Sequence, residues 1–123
     1  MKHEQKWNTL LNQYFREKEF YCFYELKQTN TESFQFAKIR KVQWEGAQAT
    51  EKNGLVWKFS DEISRPKMCD GVSIPPLPSY LIIKFKDEFC FIRFEEIVKL
   101  REEGVISISK FVAEKISEKI IKL

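Results

Sequence analysis

Histidine is almost absent from this chain of 123 residues: the one copy is His3. Nucleophilic chemistry of the Ser/His or Cys/His kind needs an imidazole beside the nucleophile, so it is nearly excluded. The shortage also removes the usual zinc ligand sets, because Cys22, Cys69 and Cys90 form no C-x-x-C pair and no finger spacing. Three cysteines leave at least one thiol unpaired. Cys22 and Cys90 fall inside apolar runs that read as strands, so buried free thiols in a reducing compartment are expected. Glycine and proline are equally scarce, four of each, which argues against a loop-rich scaffold. Neither G-x-x-x-x-G-K nor G-x-G-x-x-G occurs, so a nucleotide cofactor would lack a phosphate cradle. No apolar run is long enough to span a bilayer, and no signal-peptide core follows Met1. The expectation is a cytoplasmic protein with no membrane partner.

What the chain does have is aromatic bulk: 11 Phe, 4 Tyr and 3 Trp, within an apolar fraction of 43%. That fills one real core, whereas two independent cores at this length would each be too small. Charge is nearly balanced, 21 basic against 18 acidic residues for a net +3, so any positive patch must be local.

Trp7, Leu10, Leu11, Tyr14 and Phe15 recur at helical spacing, predicting an amphipathic helix over residues 3–17. Residues 19–28 are dense in β-formers and predict a strand. A second helix is expected over 37–52, with Ile39, Val42, Ala47 and Thr50 inward and Gly54 as its left-handed stop. A short strand follows at 55–59. Residues 60–79 hold all four prolines and read as an excursion from the fold, ending in an extended Pro75-Pro76-Leu77-Pro78. Strands over 80–86 and 89–94 form the clearest hairpin. A short helix to residue 103 ends at Gly104. Ser109 caps a last helix through Leu123, with Val112, Ile116 and Ile120 as its stripe. The order of elements implies a single α/β (α+β) domain over residues 1–123, a small mixed sheet flanked by helices.

Side chains alternate along a strand, so Glu25 and Lys27 share one face, about 6–7 Å apart, with Leu26 on the other. A carboxylate that ligates Mg²⁺ beside a lysine that stabilises an oxyanion is what phosphodiester cleavage needs. A salt bridge on a strand surface uses the same two residues. Tyr21 and Phe23 share their face, which places the charged pair at the end of an apolar stripe, where it needs a solvent edge or a function.

The run Phe23-Tyr24-Glu25-Leu26-Lys27-Gln28-Thr29 resembles the E-x-K strand of the PD-(D/E)XK nucleases. Ser33-Phe34-Gln35-Phe36, Ile39 and Val42-Gln43 are similar to the helix that follows it in the Holliday-junction-resolvase branch. Asn53-Gly54-Leu55-Val56-Trp57, Tyr80-Leu81-Ile82-Ile83-Lys84-Phe85, and Phe91-Ile92-Arg93-Phe94 with Glu95-Glu96-Ile97 resemble its later strands and closing helix. The likeness spans roughly residues 20–97. It implies a restriction-endonuclease-like fold and a Mg²⁺- or Mn²⁺-dependent DNA endonuclease, selective for branched DNA and acting as a homodimer.

Carried onto this chain, the resemblance implies a metal held by Glu25, the Leu26 carbonyl and a second acid, with Lys27 and Gln43 orienting water. The chain departs from the pattern in having no Asp before Glu25. Asp70 is the preferred replacement, folding back from the excursion, and Asp61 is the weaker one. Glu4 corresponds to the helix-borne acid of resolvases. Lys38, Arg40, Lys41, Lys52, Lys58, Arg65 and Lys67 are candidate phosphate contacts without sequence readout. Two other readings stand beside this one: a degenerate nuclease fold that binds DNA without cutting, and an interaction domain docking through its proline segment.

Overall fold

The computed structural model describes residues 3–59 and 69–123, with side chains from residue 6 onward. Two strands organise it. β5 (Ser79–Lys84) and β6 (Glu88–Arg93) form the expected antiparallel hairpin, and every residue in them except Arg93 is buried. Strands buried on both faces read as continuous apolar runs, which is how Tyr80-Leu81-Ile82-Ile83 and Phe89-Cys90-Phe91-Ile92 look in the sequence. Their alternate side chains enter different cores. Tyr80, Ile82, Phe89 and Phe91 face α1 (His3–Lys18), and Leu81, Ile83, Cys90 and Ile92 face the remaining helices.

On the outer side of β5 lies β1 (Phe23–Gln28), parallel to it, with Phe23 opposite Ser79 and Gln28 opposite Lys84. A parallel neighbour cannot be reached through a tight turn, so the chain crosses over by a helix, α2 (Lys41–Asn53). On the other side β8 (Lys119–Lys122) closes the sheet antiparallel to β6, giving the order β1-β5-β6-β8. The domain is a small mixed sheet between helices, as the α/β (α+β) reading expected. Two short ladders sit outside it. β2 (Ser33–Gln35) pairs with β7 (Ser107–Ser109), and β3 (Leu55–Lys58) pairs with β4 (Gly71–Ile74). α3 (Phe94–Glu102) and α4 (Lys110–Ile116) complete the chain.

The aromatic surplus belongs to the core. Phe91 makes edge contacts at 6.0–6.2 Å with Tyr14, Phe15, Phe20 and Tyr80, a cluster that clamps α1 onto the sheet.

Several expectations are corrected. The strand opens at Phe23, because Glu19 takes a left-handed φ of 50° that ends α1 and interrupts the extended run. Tyr21 and Glu19 therefore lie outside β1. α2 begins at Lys41 behind a 3₁₀ turn (Phe36–Lys38), which rotates its inner face. Trp44 is the buried residue, its indole N–H donating to the Ile39 carbonyl at 3.1 Å, while Val42 is 65% exposed. Gly54 does end α2, at φ 74°; a Cβ there would lie 2.2 Å from the Ile74 carbonyl oxygen. β3 joins no main-sheet strand, and residues 71–74 of the excursion are its partner. Ser109 caps α4 through the Val112 N–H, but the helix stops at Ile116 and the last residues form β8. Pairing with the open edge of β6 outweighs the helical stripe there.

β8 is fixed by a buried charge. Glu88 is 0% exposed and accepts hydrogen bonds from Lys122 at 2.5 Å and from Cys90 at 3.2 Å, with Lys110 at 3.9 Å. Burial alone would raise its carboxyl; the bonds from Lys122 and Cys90 outweigh that and hold it below its ordinary 4.5. A depressed folded value adds stability above pH 4.5 that is lost as the pH falls through it. Glu88→Gln should therefore lower the urea midpoint at neutral pH, with the gap to wild type closing once the native carboxyl protonates. A gap that stays constant with pH would show that the pair contributes nothing through its charge.

Candidate functional site

The residues that carry chemistry converge at the carboxyl ends of the parallel pair β1 and β5. β1 is an edge strand, so one side of its backbone has no strand partner in the main sheet. A cleft of about 430 Å³ wraps them, lined by Trp7, Glu25, Leu26, Lys27, Gln28, Arg40, Gln43 and Lys84. Glu25 and Lys27 stand on one face as the alternation requires, with Lys27 Nζ 3.7 Å from Glu25 Oε1. Both are partly exposed, their side chains at 32% and 21%.

Gln43 arrives from the first turn of α2. Its carbonyl oxygen accepts the Arg40 backbone N–H at 2.9 Å, and its amide nitrogen donates to Glu25 Oε1 at 2.6 Å. The first bond satisfies one of the open donors at the helix start. Because the oxygen is committed to that donor, only the NH₂ can face the carboxylate. One side chain thus caps α2 and fixes Glu25. The N-terminus of α2, which carries a partial positive charge, borders the cleft through Arg40 and Gln43.

From the opposite face come two residues that the sequence reading did not single out as site residues. Lys84 ends β5 and is only 6% exposed. Its ammonium lies 4.3 Å from the centre of the Trp7 ring and 3.4 Å from the Lys86 carbonyl oxygen, and burial pulls its pKa below the ordinary lysine value. The Trp7 indole N–H is buried with no acceptor. A signal was present: Lys84 has the phase of Tyr80 and Ile82, which makes it a cation at a core position.

The remaining expected residues do not join the cleft. Asp70 sits at the distal end of the β3–β4 hairpin, its carbonyl accepting the Phe59 N–H at 2.8 Å, and Lys58 lies beside it. Lys38 is exposed on the 3₁₀ turn, Lys41 pairs with Glu45 at 3.8 Å, and Lys52 is exposed at the end of α2. Glu4 lies on α1 one turn before Trp7, and its side chain falls outside the described ones; Asp61, Arg65 and Lys67 fall outside the described residues. Among the described residues, no group of three His, Cys, Asp or Glu gathers as a ready-made metal site.

A second hollow of about 310 Å³ shares Glu25 and Gln43 with the cleft and runs between Phe23, Val42, Gly46, Ala47 and Ser79. Its walls are mainly apolar, and the Ser79 hydroxyl is already committed to the Ala47 carbonyl at 2.8 Å.

Chemically, the cleft offers one carboxylate, an amide that orients it, three basic side chains and a helix N-terminus. No family model, curated protein or solved structure matches this chain, so the reading rests on geometry and on the resemblance above. Removing the Gln43 side chain as Gln43→Ala strips both the cap and the bond to Glu25. It should cost about 1–2 kcal/mol in urea unfolding, and a neutral result would mean that α2 is not anchored this way.

Proposed function

We propose that this cleft is the active site of a metal-dependent DNA endonuclease that acts on branched DNA, in the manner of the PD-(D/E)XK Holliday junction resolvases. One observation carries the reading: Glu25, Lys27 and Gln43, the three residues matched to that site, meet in one cleft although Gln43 lies 18 positions from Glu25.

The donor set suits a metal that arrives with its substrate. Mg²⁺ is commonly bound through one or two carboxylates, with phosphate oxygens and water completing its shell. Glu25 and the Leu26 carbonyl would hold Mg²⁺ or Mn²⁺ against a DNA phosphate. The ion would neutralise phosphate charge and make bound water a stronger nucleophile. Gln43 keeps the Glu25 carboxylate in one orientation. Lys27, on the same face, stabilises the developing oxyanion or orients the water. Arg40 and the α2 N-terminus position the phosphate. Water attacks phosphorus in line with the leaving 3′-oxygen, which departs as a hydroxyl and leaves a 5′-phosphate. A four-way junction must be cut in two strands symmetrically, so the acting form is a two-fold dimer.

A second reading is favoured by a specific observation: Glu25 is the one acid among the described residues lining the cleft. In that reading the protein holds branched DNA without cutting it.

Labelled four-way junction, duplex and single-stranded DNA, incubated with Mg²⁺, Mn²⁺ or EDTA, separate the two. The nuclease reading expects metal-dependent cutting of junction DNA, reduced on the order of 10²-fold or more by Glu25→Ala and by Lys27→Ala. Asp70→Ala, away from the cleft, should leave cutting unchanged. Junction DNA that is bound but never cut would hand the site to the noncatalytic reading.

A further inference from the structure

Two donors line the back of the cleft: Lys84, with one long hydrogen bond and the charge of Asp87 acting on it but no ion-pair contact among the described residues, and Trp7, whose N–H has no acceptor. A buried lysine normally has a carboxylate against it, since an unpaired charge out of water is costly. Lys84 has the Trp7 ring and one carbonyl at 3.4 Å, and among the described residues it forms no ion pair. Beside it the Trp7 indole N–H, a group that donates and cannot accept, is buried without an acceptor. Two adjoining donors cannot satisfy each other. What they lack is a shared acceptor, and an anion supplies one.

We propose that Trp7 and Lys84 form an oxyanion subsite that takes a backbone phosphate of the DNA strand next to the one facing Glu25 and Lys27. The placement supports this. Lys84 pairs with Gln28 at the end of β1, so it stands on the far side of the strand that carries Glu25 and Lys27. A nucleic-acid strand crossing the carboxyl end of β1 would meet Arg40, Lys27 and the α2 N-terminus on one face and Lys84 on the other. The lysine stem is long enough for the ammonium to leave the indole face and supply charge to a nonbridging oxygen, while the indole N–H, which lies in the ring plane and is buried, donates to the phosphate once the ring turns. Such a contact reads phosphate and no base edge, so it adds affinity without sequence preference. This inference rests on the proposed DNA-cleaving reading of the same cleft.

The two roles, one charged and one neutral, separate in a salt titration. Binding of a labelled four-way junction to the protein in EDTA is measured as a function of salt concentration. Lys84→Met should weaken binding and flatten the slope of log K against log salt by about 1, whereas Lys84→Arg should keep the wild-type slope. Trp7→Phe, which keeps the ring and removes the N–H, should weaken binding severalfold with the slope unchanged. Methionine removes a buried charge, so the variant should fold; if it does not, Lys84→Gln and Trp7→Phe carry the comparison. Junction DNA cut in a Glu25-dependent way, together with a wild-type slope for Lys84→Met or Lys84→Gln, would overturn the subsite alone. Wild-type protein that binds no DNA at any salt would overturn the subsite and the nuclease reading together.

Discussion

The structure depends on a pair of strands that have no solvent face. β5 and β6 bury apolar side chains above and below, so both need helices on each side and partner strands along their edges. Satisfying the β5 edge with a parallel strand forces the crossover through α2. That crossover delivers the start of α2, and with it Gln43 and Arg40, to the carboxyl end of β1. Satisfying the β6 edge recruits the last residues of the chain as β8, held by Glu88 and Lys122. The cleft is therefore a by-product of topology: it lies where two parallel strands end and the crossover helix begins, the place where open α/β sheets bind ligands.

That position explains how a chain with a net charge of only +3 can present a strongly polarised site. Lys27, Arg40 and Lys84 line a cleft that holds a single carboxylate among the described residues, and the helix N-terminus adds to their field. Glu25 is held by Gln43 with one oxygen, an arrangement that fixes its direction before any ligand arrives. On the opposite face, the Trp7 N–H has no acceptor, and the buried Lys84 ammonium has one long hydrogen bond, to the Lys86 carbonyl, and the Trp7 ring. An apolar residue at position 84 would be buried at lower cost than a lysine.

Much of this was legible in the sequence. The β5–β6 hairpin announced itself through two unbroken apolar runs, and α1 through its stripe. The pairing of Glu25 with Lys27 follows from the two-residue period of a strand. Gln43 was reachable through the resemblance, although its helix-capping role was not. What failed did so for tertiary reasons. The stripe of Val112, Ile116 and Ile120 fits a helix, yet the exposed edge of β6 and the buried Glu88 draw residues 119–122 into a strand. The 3₁₀ turn before α2 shifts its phase, so Trp44 replaces Val42 on the inner face. Lys84 shares the strand phase of Tyr80 and Ile82, but only the packing of α1 over that face shows that it is buried.

The most direct test of the account is paramagnetic broadening by Mn²⁺ in the amide spectrum of the isotopically labelled protein, with uncleavable phosphorothioate junction DNA present. If the metal binds with substrate at Glu25, the Gln43 side-chain NH₂ and the backbone N–H groups of residues 25–27 should broaden first, at the lowest Mn²⁺ added, and Glu25→Ala should abolish the effect. Broadening that begins at the acidic end of α3, around Glu102 and Glu103, while Gln43 stays sharp would contradict it.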